Sequence, residues 1–369
     1  MINEFYEKLA KIVVHYSLEV EKGHRVLIAG GCTAKEYFQA LYAEIIKVGA
    51  HPMLFVSLEG IQEILYKYAS DEQLQYVDNV IKQTYTEFDR MINIQSDYNT
   101  QKFSTVDPKK MATRQGSPEA LKLYEIMQER EAKGEFRWNI SPFPCQALAQ
   151  EAKMDLFTYT EFVKKALFLD KEDPVGEWKK LKQDQERLVN ILNNAKKIEV
   201  FGEDTELSFS MEGRNWVNCW GDCNLPDGEV YTSPEEDSVN GTIRFTYPGI
   251  YLGREVKNIF LEFKDGKVIN ATADEGEDLL KEILQIQNAD KIGEFAIGTN
   301  YGITQFTKNM LFDEKIGGTL HCALGLALQD AGGKNMSSIH WDILKDMKST
   351  GSKVLADGKL IYEEGKWKI

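Results

Sequence analysis

Two of the five histidines in this chain, His321 and His340, fall within one glycine-punctuated stretch, and Asp342 follows His340 by two residues. At that spacing two side chains point to nearly opposite sides of a helix but share one face of a strand. Ile339, Trp341 and Ile343 alternate with them, the period-2 pattern of a half-buried strand. One face then carries Ile, Trp and Ile, and the other presents an imidazole and a carboxylate together. Glu294 lies between Ile292 and Ala296 in an otherwise apolar run. A carboxylate on the inner side of such a strand is costly unless a cation or hydrogen bonds hold it. Glu229 (in PDGEVYTSP), Glu314 (in FDEKIGG) and His321 complete a set of residue types that bind divalent metals. Taken singly, each reads more simply as a surface glutamate or a histidine satisfied in the core. Taken together they are too many for one zinc, which uses four ligands, or three and a water when catalytic. Two histidines and four carboxylates suit a pair of divalent ions roughly 3.5–4 Å apart, sharing carboxylates and a water. Such a pair would activate that water and polarise a carbonyl oxygen, with Glu314 as ligand, general base, or both in turn.

The elements that must position these residues can be read from periodicity and turn signals. Apolar residues recur at helical spacing over residues 2–21. EKGHRVLIAG is a turn and a strand, TAKEYFQALYAEIIKVGA a helix closing at Gly49, and HPMLFVSL a second strand. Strand, helix, strand is a βαβ unit and hence a parallel sheet. A further strand is expected around Arg90–Ile94, helix over Pro108–Lys133, a strand and proline-rich bend in FRWNISPFPC, and helix through most of 155–195. Beyond Lys196 the texture changes to short alternating runs broken by Asp-Gly and Asn-Gly, the mark of antiparallel hairpins. A helix over 275–287 and a final hairpin around Asp357–Gly358 follow. The fold class is therefore α/β in two domains. An N-terminal parallel-sheet domain (1–195) precedes a C-terminal β-rich α+β domain (196–369) that carries the candidate metal ligands.

Composition sets the outer limits. A formal charge of −14 argues against a nucleic-acid or anionic-membrane surface. No apolar run approaches the roughly 18 residues that a membrane span needs. MINEFYEKLA has no basic region leading into an apolar core, so no signal peptide is expected. Five scattered cysteines fit a reducing cytoplasm better than a disulfide framework. Cys219 and Cys223 form a C-x3-C pair without a second ligand pair nearby, which favours structural thiols over a zinc knuckle. The turn Ala29-Gly30-Gly31-Cys32-Thr33 opens a helix, where a phosphate could bind. It lacks both G-x-G-x-x-G and the P-loop lysine, and a sharp βα turn explains it as well.

GEFAIGTN, LFDEKIGGTLHCALG, GGKNMSSIHWD and LPDGEVYTSPEEDSVNG resemble the signatures of the aminopeptidase T family of metallopeptidases, also named aminopeptidase S or leucyl aminopeptidase. The resemblance continues upstream through ATRQGSPEALKLY, FPCQALAQEAKM and DPVGEWKKL, so it covers most of the chain. It implies a dimeric two-domain enzyme with an enclosed active site that removes N-terminal residues from peptides. It also implies a co-catalytic pair of divalent ions, zinc or cobalt first, with manganese or magnesium as further candidates. Carried over position by position, the metal residues fall on Glu229, Glu294, Glu314, His321, His340 and Asp342. One departure stands out. Family members commonly have a tyrosine seven residues after the histidine of H-x-A-L-G, where this chain has Leu328. A tyrosine hydroxyl there could stabilise an oxyanion, a role worth on the order of 100-fold in rate, and leucine cannot supply it. Tyr301 and Tyr231 are the nearby candidates to replace it. Two other readings stand beside this one: a metal-dependent hydrolase of a non-peptide amide, and a nucleotide- or ligand-binding protein built on the N-terminal βαβ unit.

Overall fold

Arg25–Gly31 (β1) and His51–Ser57 (β2) are joined by the helix Lys35–Val48, so the two strands run parallel, with Arg25 opposite His51. Arg90–Gln95 (β3) and Arg137–Pro142 (β4) extend this to a four-stranded parallel sheet of order β2-β1-β3-β4. The structure is a computed structural model that describes residues 3–369. Its chain forms two compact units, one running to Val175 and taking in Gly221–Leu225, the other formed by Gly176–Trp220 and Pro226–Ile369.

In the first unit, several helices begin where side chains cap them. Asp107 and Ser117 accept N–H bonds ahead of Pro108 and Pro118, so the helical stretch expected over Pro108–Lys133 is two helices, Pro108–Gln115 and Pro118–Ala132. The stretch over 155–195 likewise divides into Leu156–Ala166 in this unit and Pro174–Leu192, which restarts at a proline and belongs almost wholly to the second unit. The N-terminal helix is α-helical over Glu4–Lys11 and widens to a π-turn over Ile12–Ser17; residue 2 of the expected span lies outside the described residues. Strand β2 is an edge strand, with Met53, Leu54, Phe55 and Val56 each 38–46% exposed.

The second unit is built from fifteen strands among its described residues, β5 to β19. They are Lys197–Gly202 (β5), Thr205–Ser210 (β6), Val217–Cys219 (β7), Glu229–Thr232 (β8) and Asn240–Arg244 (β9). Gly249–Tyr251 (β10), Arg254–Val256 (β11), Phe260–Lys264 (β12), Lys267–Thr272 (β13) and Ile292–Gly298 (β14) follow. Thr319–Gly325 (β15), His340–Asp346 (β16), Lys353–Ala356 (β17), Lys359–Glu363 (β18) and Lys366–Trp367 (β19) complete the set. One sheet has the order β13-β12-β9-β6-β5-β17-β18-β19 and another the order β16-β15-β14-β8-β7, while β10 and β11 form a small ribbon. The helix expected over 275–287 is shorter, Glu277–Ile283.

The two large sheets share one core. Val200, Phe209, Ile243 and Leu261 come from the longer sheet, and Val230, Phe295, Ile297, Leu320, Cys322, Leu324, Trp341 and Ile343 from the shorter. Phe209 and Phe295 meet across it with ring centroids 5.0 Å apart. Burying such side chains stabilises the unit by roughly 1.5–3 kcal/mol each. Because strand side chains alternate, packing one face of the shorter sheet turns every second residue to the other face. That other face carries the candidate ligands.

Candidate metal centre

On the outer face of the five-stranded sheet, Glu229 and Tyr231 from β8 stand with Glu294 from β14, His321 from β15, and His340 and Asp342 from β16. The register sets small residues beside them. Ala296 is opposite both His321 and Tyr231, Ala323 is opposite both Glu294 and Asp342, Gly298 is opposite Glu229, and Gly325 is opposite His340. The polar side chains can therefore lean toward one another over methyl groups and bare backbone.

Glu294 reaches this face through a bulge. Strict alternation would put Ile292, Glu294 and Ala296 on one side, yet Ile292 belongs to the core. The register shifts between Ile292 and Glu294, which inserts Gly293 and reverses the phase. A Cβ on Gly293 would lie 2.3 Å from Leu326 O, so only glycine allows that approach. Gly298 is equally constrained: a Cβ there would lie 2.2 Å from Ile316 O, in the segment that carries Glu314 and Lys315.

All six residues singled out from the sequence come together. His340 Nε2 is 2.8 Å from Glu294 Oε2 and 3.6 Å from Asp342 Oδ1. His321 Nε2 is 3.4 Å from Glu294 Oε1, 3.5 Å from Glu229 Oε2 and 3.9 Å from Asp342 Oδ1. Glu314 joins through the set Glu314, His321 and Asp342, whose ligand atoms lie within 4.8 Å of one another. Two further sets, Glu229–Glu294–His321 and Glu294–His340–Asp342, meet the same criterion and share Glu294. His340 Nδ1 is 2.8 Å from Leu326 O. A carbonyl can only accept, so Nδ1 carries the hydrogen and Nε2 is aimed into the centre, as in a metal-ligating histidine.

Three participants were not legible in the sequence. Lys315 is 1% exposed, and its ammonium is bonded to Glu229, lies 2.7 Å from Glu314 Oε1 and is 3.7 Å from Asp227 Oδ1. In the sequence it looks like the surface partner of Glu314. Asn300 seats this segment: its Nδ2 donates to Asp227 O, and its backbone pairs with Lys315 O and Gly317 N. Asp227 is the third, buried in the turn before β8. Asp313 and Glu314 part company, because the Asp313 carboxylate is buried against Thr307, accepting from its N–H and hydroxyl, while Glu314 faces the cluster.

Electrostatics follow from burial. Burial pushes the Glu229 carboxyl up to about 8, although Lys315 beside it favours the anion. Burial would raise Glu294 as well, but hydrogen bonds with His321 and His340 hold it well below the usual carboxylate range. Burial disfavours protonation of both imidazoles, yet the surrounding carboxylates raise His321 to about 9 and His340 to about 10. Burial also raises Asp342. Without a metal, protons on the imidazoles supply the positive charge that this cluster needs.

The donor set fits a divalent cation. Glu229 Oε2 and Asp342 Oδ1 are buried without any hydrogen-bond partner, and both face His321. Buried anionic oxygens left this way are costly unless a cation takes them. Cys219 lies with Asp227 and Glu229, whereas Cys223 donates toward Glu131, so the C-x3-C pair is not one ligand pair. Neither tyrosine offered for the missing hydroxyl is free. Tyr301 donates to Gly365 O at 2.8 Å, and Tyr231 donates to Asp330. Leu328 packs against the small apolar cluster of Tyr231, Ala296 and Ala331. In the first unit, the Gly31 N–H that would cradle a phosphate is already bonded to Ser96 Oγ at 2.9 Å.

Comparison with known proteins points the same way. Over 98% of this chain and 97% of its own length, aminopeptidase 2 of Geobacillus stearothermophilus is 26% identical. Aminopeptidase T of Thermus thermophilus is also 26% identical, over 88% of this chain and 85% of its own. Among solved structures, wild-type AmpT from Thermus thermophilus has the same fold, with a TM-score of 0.85 over the whole of both chains at 22% identity. The family model described as thermophilic metalloprotease (M29) matches residues 2–367, and the chain belongs to that family.

Proposed function

We propose that this protein removes N-terminal amino acids from peptides by means of two divalent ions held by Glu229, Glu294, Glu314, His321, His340 and Asp342. Aminopeptidase activity itself follows from the M29 family and from aminopeptidase relatives that match nearly the whole chain. The observation that carries the two-ion reading is the placement of Glu294. Its Oε1 faces His321 at 3.4 Å and its Oε2 faces His340 at 2.8 Å, so one carboxylate stands between two imidazole-containing ligand groups. Divalent ions bound there supply an acidified water and a polarised scissile carbonyl.

The remaining work falls to the chain's own groups. Lys315 fixes Glu229 and Glu314 by its ammonium, so neither carboxylate has to be ordered when substrate arrives. Glu314 is partly open to solvent and receives the lysine at Oε1; its Oε2 serves as ligand and general base in turn, taking a proton from the attacking water and returning it to the leaving amine. The backbone carbonyl of Leu326 holds His340 in one tautomer throughout.

Zinc or cobalt suits the mixed imidazole and carboxylate donors, and manganese or magnesium suits the carboxylates. The protein is further proposed to be cytoplasmic and a homodimer, with no nucleic-acid or membrane partner. Five free cysteines support the compartment, and no described helix is long and apolar enough to cross a membrane. The apolar edge strand β2 supports the dimer, since an uncovered edge of this kind invites pairing with another chain. Hydrolysis of some other amide is the second reading, which Leu328 favours by replacing the family's tyrosine. Metal analysis of reloaded protein, together with release of a chromogenic amine from aminoacyl substrates, tests both. Two equivalents and turnover support the proposal; saturation at one equivalent overturns the ion pair, and turnover only of non-aminoacyl amides overturns the substrate.

A further inference from the structure

Residues 326–339 connect β15 to β16, the two strands that carry the histidines, and the first part of this connection is held unusually firmly for a surface loop. Leu328 N donates to Ser233 Oγ at 3.0 Å, and Asn215 N donates to Ala331 O at 3.0 Å. Arg214 Nη1 donates to Gly332 O at 2.5 Å while its other nitrogen pairs with Glu236, which in turn accepts from Lys334 N at 2.7 Å. Asp330 sits on this loop with its side chain oriented twice more. Its Oδ1 accepts from Ala331 N at 2.9 Å, and its Oδ2 accepts from the hydroxyl of Tyr231.

Tyr231 is the link to the centre. It is two residues from Glu229 on the same face of β8, and only Ala296 separates it from His321 in the cross-strand row. Its ring is 8% exposed, yet the carboxylate that it holds is open to solvent. A buried phenol spent on fixing a solvent-facing anion is surplus to holding the loop, which the other bonds already pin. Each Asp330 oxygen has accepted one hydrogen bond and retains a lone pair. The result is a rigid, charged acceptor on the face that carries the proposed metal ligands, beside the half-buried side chain of Leu328.

We propose that Asp330, positioned by Tyr231, binds the α-ammonium group of the substrate's first residue. The inference rests on the aminopeptidase reading and adds the residue that recognises a free N-terminus. An α-amino group has an ordinary pKa of about 7.7–8.0, so it is largely cationic at neutral pH. A charge-assisted bond to a pre-oriented carboxylate selects it over an acylated or internal position. Leu328, half-buried and two residues from Asp330, then offers an apolar contact for the first side chain.

The test is Asp330→Asn, which keeps the shape and the acceptor for Tyr231 but removes the charge. KM for a leucyl anilide is expected to rise roughly 10- to 100-fold, with kcat within about 3-fold of wild type, because the ammonium is held alike before and during reaction. A second readout needs no turnover. Calorimetry on metal-loaded wild type should show isoamylamine binding at least about tenfold more tightly than isoamyl alcohol, and Asp330→Asn should abolish that preference. Tyr231→Phe should shift both readouts in the same direction but less, since the charge remains and only its orientation is lost. Metal content and melting temperature equal to wild type in Asp330→Asn would exclude an effect through the ions or through folding. Wild-type KM and amine preference in Asp330→Asn would overturn the proposal, as would a fall in kcat alone. If the wild type cleaved no aminoacyl substrate, the aminopeptidase reading would fail, and the amine preference would still decide the role of Asp330.

Discussion

The ammonium of Lys315 and the carboxylate of Glu229 are hydrogen-bonded to each other with both side chains shut off from solvent. Lys315 also meets Glu314 and Asp227, so one buried cation is shared by three carboxylates. Removing one member of a buried pair leaves the others charged and unpaired, which typically costs about 3–5 kcal/mol. Lys315→Met is therefore expected to lower the denaturant midpoint of the metal-free protein by a cost of about that size. Excess divalent ion should restore part of it, since Cys219, Asp227 and Glu229 already lie within 4.8 Å of one another. An unchanged midpoint in chelator would mean that the pair contributes nothing to stability.

His340→Ala and Asp342→Ala address the strand face directly. Each removes a donor from the Glu294–His340–Asp342 set. Loss of a supporting group around a metal usually costs roughly 10- to 100-fold in affinity, and loss of a ligand should cost at least that. Both variants are expected to lose bound metal and turnover while the parallel-sheet unit stays folded, as read by metal analysis and circular dichroism. Wild-type activity in either would remove it from the ligand set.

Stability of the metal-free protein should fall as pH rises from about 6.5 to 10. His321 and His340 have folded-state values raised to about 9 and about 10 from an ordinary 6.5. Between those limits the folded protein keeps protons that the unfolded chain has released. Their contribution is complete below about 6.5 and lost as pH passes through the folded values. Glu229, raised to about 8, acts in the same direction. With zinc or cobalt present the trend should reverse, because an ion must displace those protons and binds better as pH rises. Denaturation in chelator and in metal across this range checks both slopes, and a flat profile in chelator would contradict the raised values.

The edge strand β2 gives a test of the dimer. Leu54 and Val56 share one face of that strand, and each is more than 40% exposed. Light scattering of the wild type is expected to give twice the chain mass of 42.1 kDa. Leu54→Lys with Val56→Lys should return it to the single-chain mass, since edge lysines disfavour strand pairing. A wild-type mass near that of one chain would rule the dimer out.

Local patterns were enough for much of this. The alternation Ile339-His340-Trp341-Asp342-Ile343 dictates that the imidazole and carboxylate share a face, because a strand repeats every two residues whatever it pairs with. The βαβ unit and the Asp357–Gly358 hairpin follow from equally local signals, and the six candidate ligands stand out by the chemistry of their side chains. What the chain could not reveal locally depends on which strands become neighbours. Glu294 stands with Ala296 rather than with Ile292 on the other face only because Gly293 bulges under Leu326, a contact between segments more than thirty residues apart. Lys315 meets its carboxylates only because Asn300 draws its segment over Asp227 and Glu229, and Tyr231, a candidate in the sequence for the missing tyrosine hydroxyl, is claimed by Asp330 only because the loop after β15 brings that carboxylate to it. In each case a polar group gains its partner through burial between distant segments. That free energy belongs to the packed sheet, so tertiary structure alone decides it.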